Sequence, residues 1–270
     1  MSLAILCAVQ VALAQQGQNK KEHEPACYSL HHLQRLFVFV CLLDVVPLPQ
    51  KMEANVVLAQ QGQNKMNKGY IFFVRHGQTD WNIKKLMQGR DEIPLNEVGI
   101  SQANEAALLF KESSIKSGVR FDRVIASPLS RASVTGKIIA DAIGCDDFST
   151  DDRLIERDFG ELSGKPYEFS APYIVGDADY VKGLEPVSCV LERIESFIKE
   201  AVKPDKNIIA ITHGSVSGVF ASRSKKREGL DPTGKILHNC HMVVYSYDGN
   251  EIIMEGYDIS PSEIGSLDLQ

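Results

Sequence analysis

Hydrophobic and polar positions follow two different regimes along the chain. From Gly69 onward, unbroken apolar runs alternate with amphipathic stretches. Tyr70-Ile71-Phe72-Phe73-Val74, rich in aromatic and β-branched residues, has the pattern of a strand buried on both faces. Residues 97–116 predict a helix, with Asn96 as its N-cap and Ala103, Ala106, Ala107 and Phe110 at helical spacing. Phe121 to Ala126 reads as a second strand. Ser127-Pro128 then supplies an N-cap and a first-turn proline for a helix running to about Ile143. Over 186–202, Val187, Val190, Leu191, Ile194, Phe197 and Ile198 fall on one helical face. Asn207 to Thr212 is a third buried strand, and Met242 to Tyr247 with Glu251 to Glu255 reads as a hairpin across Asp248-Gly249-Asn250. Strands alternating with helices predict an α/β fold, three layers deep (α/β/α), around a mostly parallel sheet covered on both faces.

Residues 1–68 obey neither pattern and are expected to form an N-terminal extension to a domain spanning 69–270. The segment VALAQQGQNK at 11–20 returns as VVLAQQGQNK at 56–65, a lone repeat and not the several units a solenoid needs. The apolar run Leu36 to Val46 is too short for a bilayer and is interrupted by Asp44. Residues 3–14 end in Ala12-Leu13-Ala14, a small-x-small cleavage pattern. No Lys or Arg precedes it, however, and Gln10 breaks the apolar run. A cytoplasmic protein without integral membrane insertion is expected, with secretion as the alternative if residues 1–14 act as a signal peptide. Residues 1–65 are expected to be dispensable for catalysis.

The formal net charge of −6 argues against broad electrostatic binding of nucleic acid, so any anion site must be a local concentration of positive charge. The six cysteines form no CxxC pair, and no His/Cys cluster has zinc-ligand spacing. Free thiols and no metal are therefore expected, and the His31-His32 pair is read as incidental.

The chemistry gathers at strand ends. The first strand ends Val74-Arg75-His76-Gly77, the second runs into Ser127-Pro128-Leu129-Ser130-Arg131, and the third ends Thr212-His213-Gly214. Ligands of open parallel sheets bind beyond the carboxyl ends of the strands, so these tips are expected to converge. Each histidine precedes a glycine, which lets backbone pass close to a ligand. Arg131 in the first turn of its helix sits where free N–H groups favour an anion. Two arginines and two histidines around one point describe a site for a phosphoryl dianion. A lone histidine or arginine at such a position is more often structural. The ordered series is what carries weight.

The stretch Val74-Arg75-His76-Gly77-Gln78-Thr79-Asp80-Trp81-Asn82 resembles the signature of the histidine phosphatase superfamily, also called the phosphoglycerate mutase-like family. Gln88-Gly89, Pro94-Leu95, Gly99, the Ser127 to Ala132 segment, Leu154 to Gly160, Gly183-Leu184-Glu185, Arg193 and Ile211 to Gly214 extend the resemblance across residues 70–256. It implies that His76 attacks phosphorus and carries a phosphohistidine. It further implies that Arg75, Arg131 and His213 neutralise the transferring oxygens and that Glu156 is the proton donor and later the base. Asn82, Gln88, Gly89 and Gly214 are expected to join Arg75, Arg131 and His213 in binding the substrate. His76, Arg75, Arg131 and His213 are expected around one point at the carboxyl end of the sheet, with Glu156 on the rim.

Both a phosphatase and a mutase use that nucleophile. Related mutases carry a longer, basic and aromatic region after the proton donor, whereas residues 157–205 here are short and acidic, with Asp158, Glu161, Glu168, Asp177, Asp179 and Glu185. Hydrolysis of a small phosphorylated metabolite, with no cofactor, is therefore expected. The alternatives are a mutase dependent on 2,3-bisphosphoglycerate and, in another class, a catalytically silent phosphate-binding module. The substrate-determining walls are expected at 163–185 and at Lys84 to Arg90.

Overall fold

The computed structural model describes residues 68–170, 176–178, 180–232, 237–267 and 269. The duplicated segment, the apolar run at 36–46, the His31-His32 pair and the candidate cleavage site lie outside the described residues. Among the described residues no helix is long and apolar enough to cross a membrane.

The strands are β1 (Gly69–Arg75), β2 (Arg123–Ala126), β3 (Phe148–Thr150), β4 (Asn207–Thr212), β5 (Lys225–Lys226), β6 (Met242–Tyr247) and β7 (Ile252–Ile259). The helices are α1 (Asp80–Ile83), α2 (Glu97–Ser117), α3 (Ser130–Ile143), α4 (Tyr167–Ser170), α5 (Val187–Ala201) and α6 (Gly214–Arg223). The strands form one seven-stranded sheet in the order β3-β2-β4-β1-β6-β7-β5. Strands β3, β2, β4 and β1 pair in parallel, β6 runs antiparallel to β1 and to β7, and β5 lies parallel to β7. One reversed strand in a mostly parallel sheet agrees with the hairpin and the α/β pattern read from the sequence.

The apolar run at β1 is continuous because both of its faces are covered. Ile71 and Phe73 pack with Phe197 of α5 and Phe220 of α6 in one core cluster. Tyr70, Phe72 and Val74 pack on the opposite face with Phe110 of α2 and Ile139 of α3. Alternate residues thus serve two helical layers, as the period of a strand requires. Removing one such buried ring, as in Phe73→Ala, costs about 3–5 kcal/mol and leaves a cavity at the strand that carries the site.

The local structure departs from these expectations in several places. Helix α3 begins at Ser130 with Leu129 in the cap position, and Leu129 makes no side-chain cap. Ser127 is not its N-cap: the Ser127 hydroxyl pairs instead with His213 Nε2 at 2.8 Å. The start of α3 is held from outside, because Ser130 donates its N–H and its hydroxyl to Glu92 Oε2 at 3.2 and 2.8 Å. Lys225-Lys226, just after α6, is the edge strand β5, paired with Ile253 and Met254 of β7. Exposed lysines on an edge discourage pairing with another chain. Strand β3 carries no apolar alternation and was not anticipated, and β7 runs on to Ile259, past the expected Glu255.

Candidate active site

Strand register assembles the site. Arg75 of β1 lies opposite Thr212 of β4, and Ala126 of β2 opposite Ile211, so the three tips end at one level of the sheet. His76 N–H donates to the Thr212 carbonyl (3.2 Å) and Ser127 N–H to the Ile211 carbonyl (2.9 Å). The rings of His76 and His213 are consequently 5.1 Å apart, tilted by 59°. Gly77 has no room for a side chain: a Cβ there would lie 2.4 Å from the Gly99 carbonyl oxygen at the start of α2.

His76 is 3 % exposed, and its Nδ1 sits 2.7 Å from the Gly77 carbonyl oxygen. A carbonyl only accepts, so Nδ1 holds the proton and Nε2 keeps its lone pair. Burial first, then the charges of Arg131 and Arg75, pushes the His76 pKa well below the ordinary histidine value. The ring is neutral at physiological pH, as a nucleophile must be. His213 is shifted the same way, by burial and then by Arg131 and His76.

Arg131 is fully buried and donates to the carbonyls of Asp91 (2.7 Å) and Gly89 (2.8 Å), fixing the loop after Gln88. Arg75 donates to the Leu237 carbonyl at 2.6 Å. Among the described residues, Arg75 Nε, Arg131 Nε, His213 Nδ1 and Gln88 Oε1 are buried without a hydrogen-bond partner. Buried polar atoms are normally paired, and the two guanidinium nitrogens have nothing to offer except N–H. Together with His213 Nδ1 they form a donor set suited to an oxyanion.

Glu156 does not stand on the rim. It is 7 % exposed, and its carboxylate accepts from Arg157 N (2.8 Å), Val216 N (3.2 Å) and Ser215 N (3.4 Å), the last two at the start of α6 just beyond His213. Burial raises its pKa, and these N–H groups together with Arg131 offset part of that rise. Both helix starts at this site, α3 with Glu92 and α6 with Glu156, thus hold carboxylates. The groups left to meet an anion are the arginine and histidine side chains.

Other expected residues take more limited parts. Asn82 Oδ1 accepts from Thr79 N (3.1 Å) in a capping box at the start of α1, so its amide nitrogen is the group left to meet a ligand. Gly89 has φ +50°, and Gly214 passes so close to Arg75 that a Cβ would lie 3.3 Å from its Nε. Of the acidic residues after Glu156, Asp177 pairs with the buried Arg157 (2.8 Å), and Glu185 with Arg193 (3.0 Å) and Arg90 (3.3 Å). Arg90 Nε also donates to the Glu156 carbonyl at 3.2 Å. Three supports went unread in the sequence: Ser127 on His213, Thr135 Oγ1 accepting from Gly77 N (3.2 Å), and Asn239 Nδ2 on the His76 carbonyl (2.8 Å). Only Ser127, inside the Ser-Pro motif, left a local signal.

The family model of the histidine phosphatase superfamily (branch 1) matches residues 71–259. The chain is 43% identical over 98 residues to the 2,3-bisphosphoglycerate-dependent phosphoglycerate mutase of Rhizobium etli, a segment covering 36% of this chain and 44% of that one. The chain thus spans less than half the length of this curated relative. It is 30% identical over 147 residues to the uncharacterized phosphatase PhoE of Bacillus subtilis, covering 54% of this chain and 72% of that protein. Among solved structures, a mycobacterial glucosyl-3-phosphoglycerate phosphatase superposes with a TM-score of 0.57 at 21% identity, covering 72% of this chain and all of that one. The phosphoglycerate mutase of Bacillus anthracis superposes with a TM-score of 0.58 at 18% identity, covering 74% and 97%. At such identities the solved structures speak for the fold, and the family model speaks for descent: the chain belongs to the histidine phosphatase superfamily, branch 1.

Proposed function

We propose that the chain hydrolyses a small phosphomonoester through a phosphohistidine on His76. The observation that carries this reading is the state of His76, which is buried, neutral and locked by Gly77 into the tautomer whose Nε2 bears a lone pair. Nε2 attacks phosphorus as the bond to the alcohol oxygen breaks. Arg75, Arg131 and His213 take up the charge on the transferring oxygens, where a metal ion works in other phosphoryl-transfer sites. Glu156, its pKa raised by burial, protonates the departing alkoxide. Its carboxylate then accepts a proton from the water that attacks the phosphohistidine, releasing phosphate and restoring His76.

Hydrolysis is favoured over transfer by the match to PhoE, which spans most of that phosphatase, whereas the mutase match is confined to a shorter segment. The mutase alternative rests on the higher identity of that segment, and it alone calls for 2,3-bisphosphoglycerate as a cofactor. A cytoplasmic setting and a small phosphorylated partner belong to the same proposal. The test is a screen of phosphorylated metabolites, including both monophosphoglycerates, followed for free phosphate and for isomerisation. Phosphate release without a bisphosphoglycerate requirement is expected. Fast interconversion of 2- and 3-phosphoglycerate with little free phosphate overturns hydrolysis, and inertness towards every substrate and towards aryl phosphates supports the silent binding module.

A further inference from the structure

Away from the phosphoryl site, His238, His241 and Asp258 converge so that one potential ligand atom from each lies within 4.8 Å of the others. His238 Nδ1 is 2.8 Å from Asp258 Oδ2, and His241 Nδ1 is 3.1 Å from Asp258 Oδ1. We propose that these three side chains form a binding site for one zinc ion, its fourth position open to water or a small ligand. Two imidazole nitrogens and one carboxylate oxygen suit a borderline divalent ion and disfavour calcium or magnesium, which prefer oxygen donors throughout. Bonds of about 2.0–2.1 Å in a tetrahedron set ligand atoms about 3.3 Å apart. The two nitrogen–oxygen separations run to different oxygens of Asp258, so the site is completed by side-chain rotations that bring both imidazole nitrogens around one carboxylate oxygen.

The backbone arrangement favours the same reading. The histidines lie three residues apart in the turn before β6, and Asp258 comes from the far end of β7. Asp258 is oriented in advance, because its Oδ1 also accepts from His238 N at 2.9 Å. Both segments hold a non-glycine residue in the left-handed region, Cys240 at φ +59° and Asp258 at φ +57°, a strain retained where the surroundings enforce it. Cys240 packs with Ala103 and Ala106 of α2 and supplies no ligand. The His238 side chain is 67% exposed, so an ion can enter from solvent.

The turn also touches the nucleophile's strand. The Leu237 carbonyl accepts from Arg75 (2.6 Å), Asn239 donates to the His76 carbonyl (2.8 Å), and Cys240 N and the His241 carbonyl pair with the Arg75 backbone at 2.8 and 3.0 Å. An ion bound there ties this turn to β7 and stiffens the support of Arg75 and His76.

The full chain, freed of metal with a strong chelator, is titrated with zinc against a chromogenic competitor and separately with cobalt(II), whose visible absorption reports tetrahedral coordination. His238→Gln and Asp258→Asn are compared with the unaltered chain and with His76→Ala. The first replaces an exposed side chain, and the second keeps a residue type that tolerates a positive φ, so both variants should fold. The unaltered chain and His76→Ala should each bind one equivalent more than either triad variant, and only those two should show the full cobalt spectrum and a rise in Tm with zinc. Equal uptake and equal spectra in all four proteins overturn the proposal, because the ion then sits on other histidines. So does the absence of any zinc retained against the competitor. His76→Ala separates this site from the phosphoryl site, so the result does not depend on which reaction His76 performs.

Discussion

Two histidine pairs in this molecule have nearly the same internal geometry and opposite surroundings. The rings of His76 and His213 lie 5.1 Å apart at 59°, and those of His238 and His241 lie 5.2 Å apart at 54°. The first pair is buried at the tips of β1 and β4, faces Arg75 and Arg131, and has its proton affinity suppressed by burial and by those charges. The second sits in an accessible turn and faces the carboxylate of Asp258. A histidine pair among cations is suited to an anion and to staying neutral, whereas one beside a carboxylate is suited to a cation. Ring proximity alone is therefore uninformative, and the charge that completes the cluster decides the chemistry.

The comparison breaks most decisively at His76. His76→Ala should lower turnover of an aryl phosphate by roughly four to six orders of magnitude, the scale seen when a covalent nucleophile is removed. The far-ultraviolet circular dichroism should be unchanged, because among the described residues the ring hydrogen-bonds to its neighbour's carbonyl alone. Substantial activity in that variant would remove the phosphohistidine from the mechanism.

A smaller effect sharpens the role of the proton in the buried site. Glu156→Gln should reduce kcat by about 10²–10⁴-fold for an alkyl phosphate, the range of general acid–base catalysis. The loss should be smaller for an aryl phosphate, whose leaving group departs without protonation. The alkaline fall of kcat/KM should also vanish, because Glu156 must be protonated to donate and burial extends its protonated range upward. An equal loss on both substrates with an unchanged pH profile would give the proton to another group.

How far the sequence disclosed these two clusters follows from where their residues lie. Most of the candidate site was legible because Arg75, His76 and His213 end unbroken apolar runs at β1 and β4 and Arg131 opens α3. Glu156 lies buried and not on the expected rim, because its three N–H partners include two from α6, some sixty residues on. Ser127 was misread as a helix cap since a serine before a proline fits that role locally, and nothing nearby marks His213 as its partner. The ion pairs of Asp177 with Arg157 and of Glu185 with Arg193 and Arg90 follow no helical or strand period, so the sequence pattern does not mark them. The second histidine pair escaped for the same reason. His238 and His241 lack zinc-ligand spacing by themselves, and Asp258 reaches them only through the β6–β7 hairpin.

The smallest expected effect is thermodynamic and belongs to the buried pair. In the folded state His76 and His213 resist protonation well below the ordinary value, while in the unfolded chain each titrates near 6.5. Between those two pKa values the unfolded state binds more protons, so stability must rise with pH and fall as the solution is acidified. The loss begins near pH 6.5 and, for each histidine, amounts to about 1.4 kcal/mol per pH unit until its folded-state pKa is reached. Glu156 acts in the opposite direction. Its folded pKa is raised, so on acidification it takes up a proton in the folded state before the unfolded chain does, which adds stability as pH falls through that folded value. Urea unfolding at intervals from pH 7 to 5 should show the net acid loss. His213→Gln should flatten the slope by about one histidine's share, and Glu156→Gln should steepen it by removing the opposing proton uptake. A slope unchanged in His213→Gln would mean that the ring is not held neutral in the folded protein, and its place beside His76 would then need another explanation.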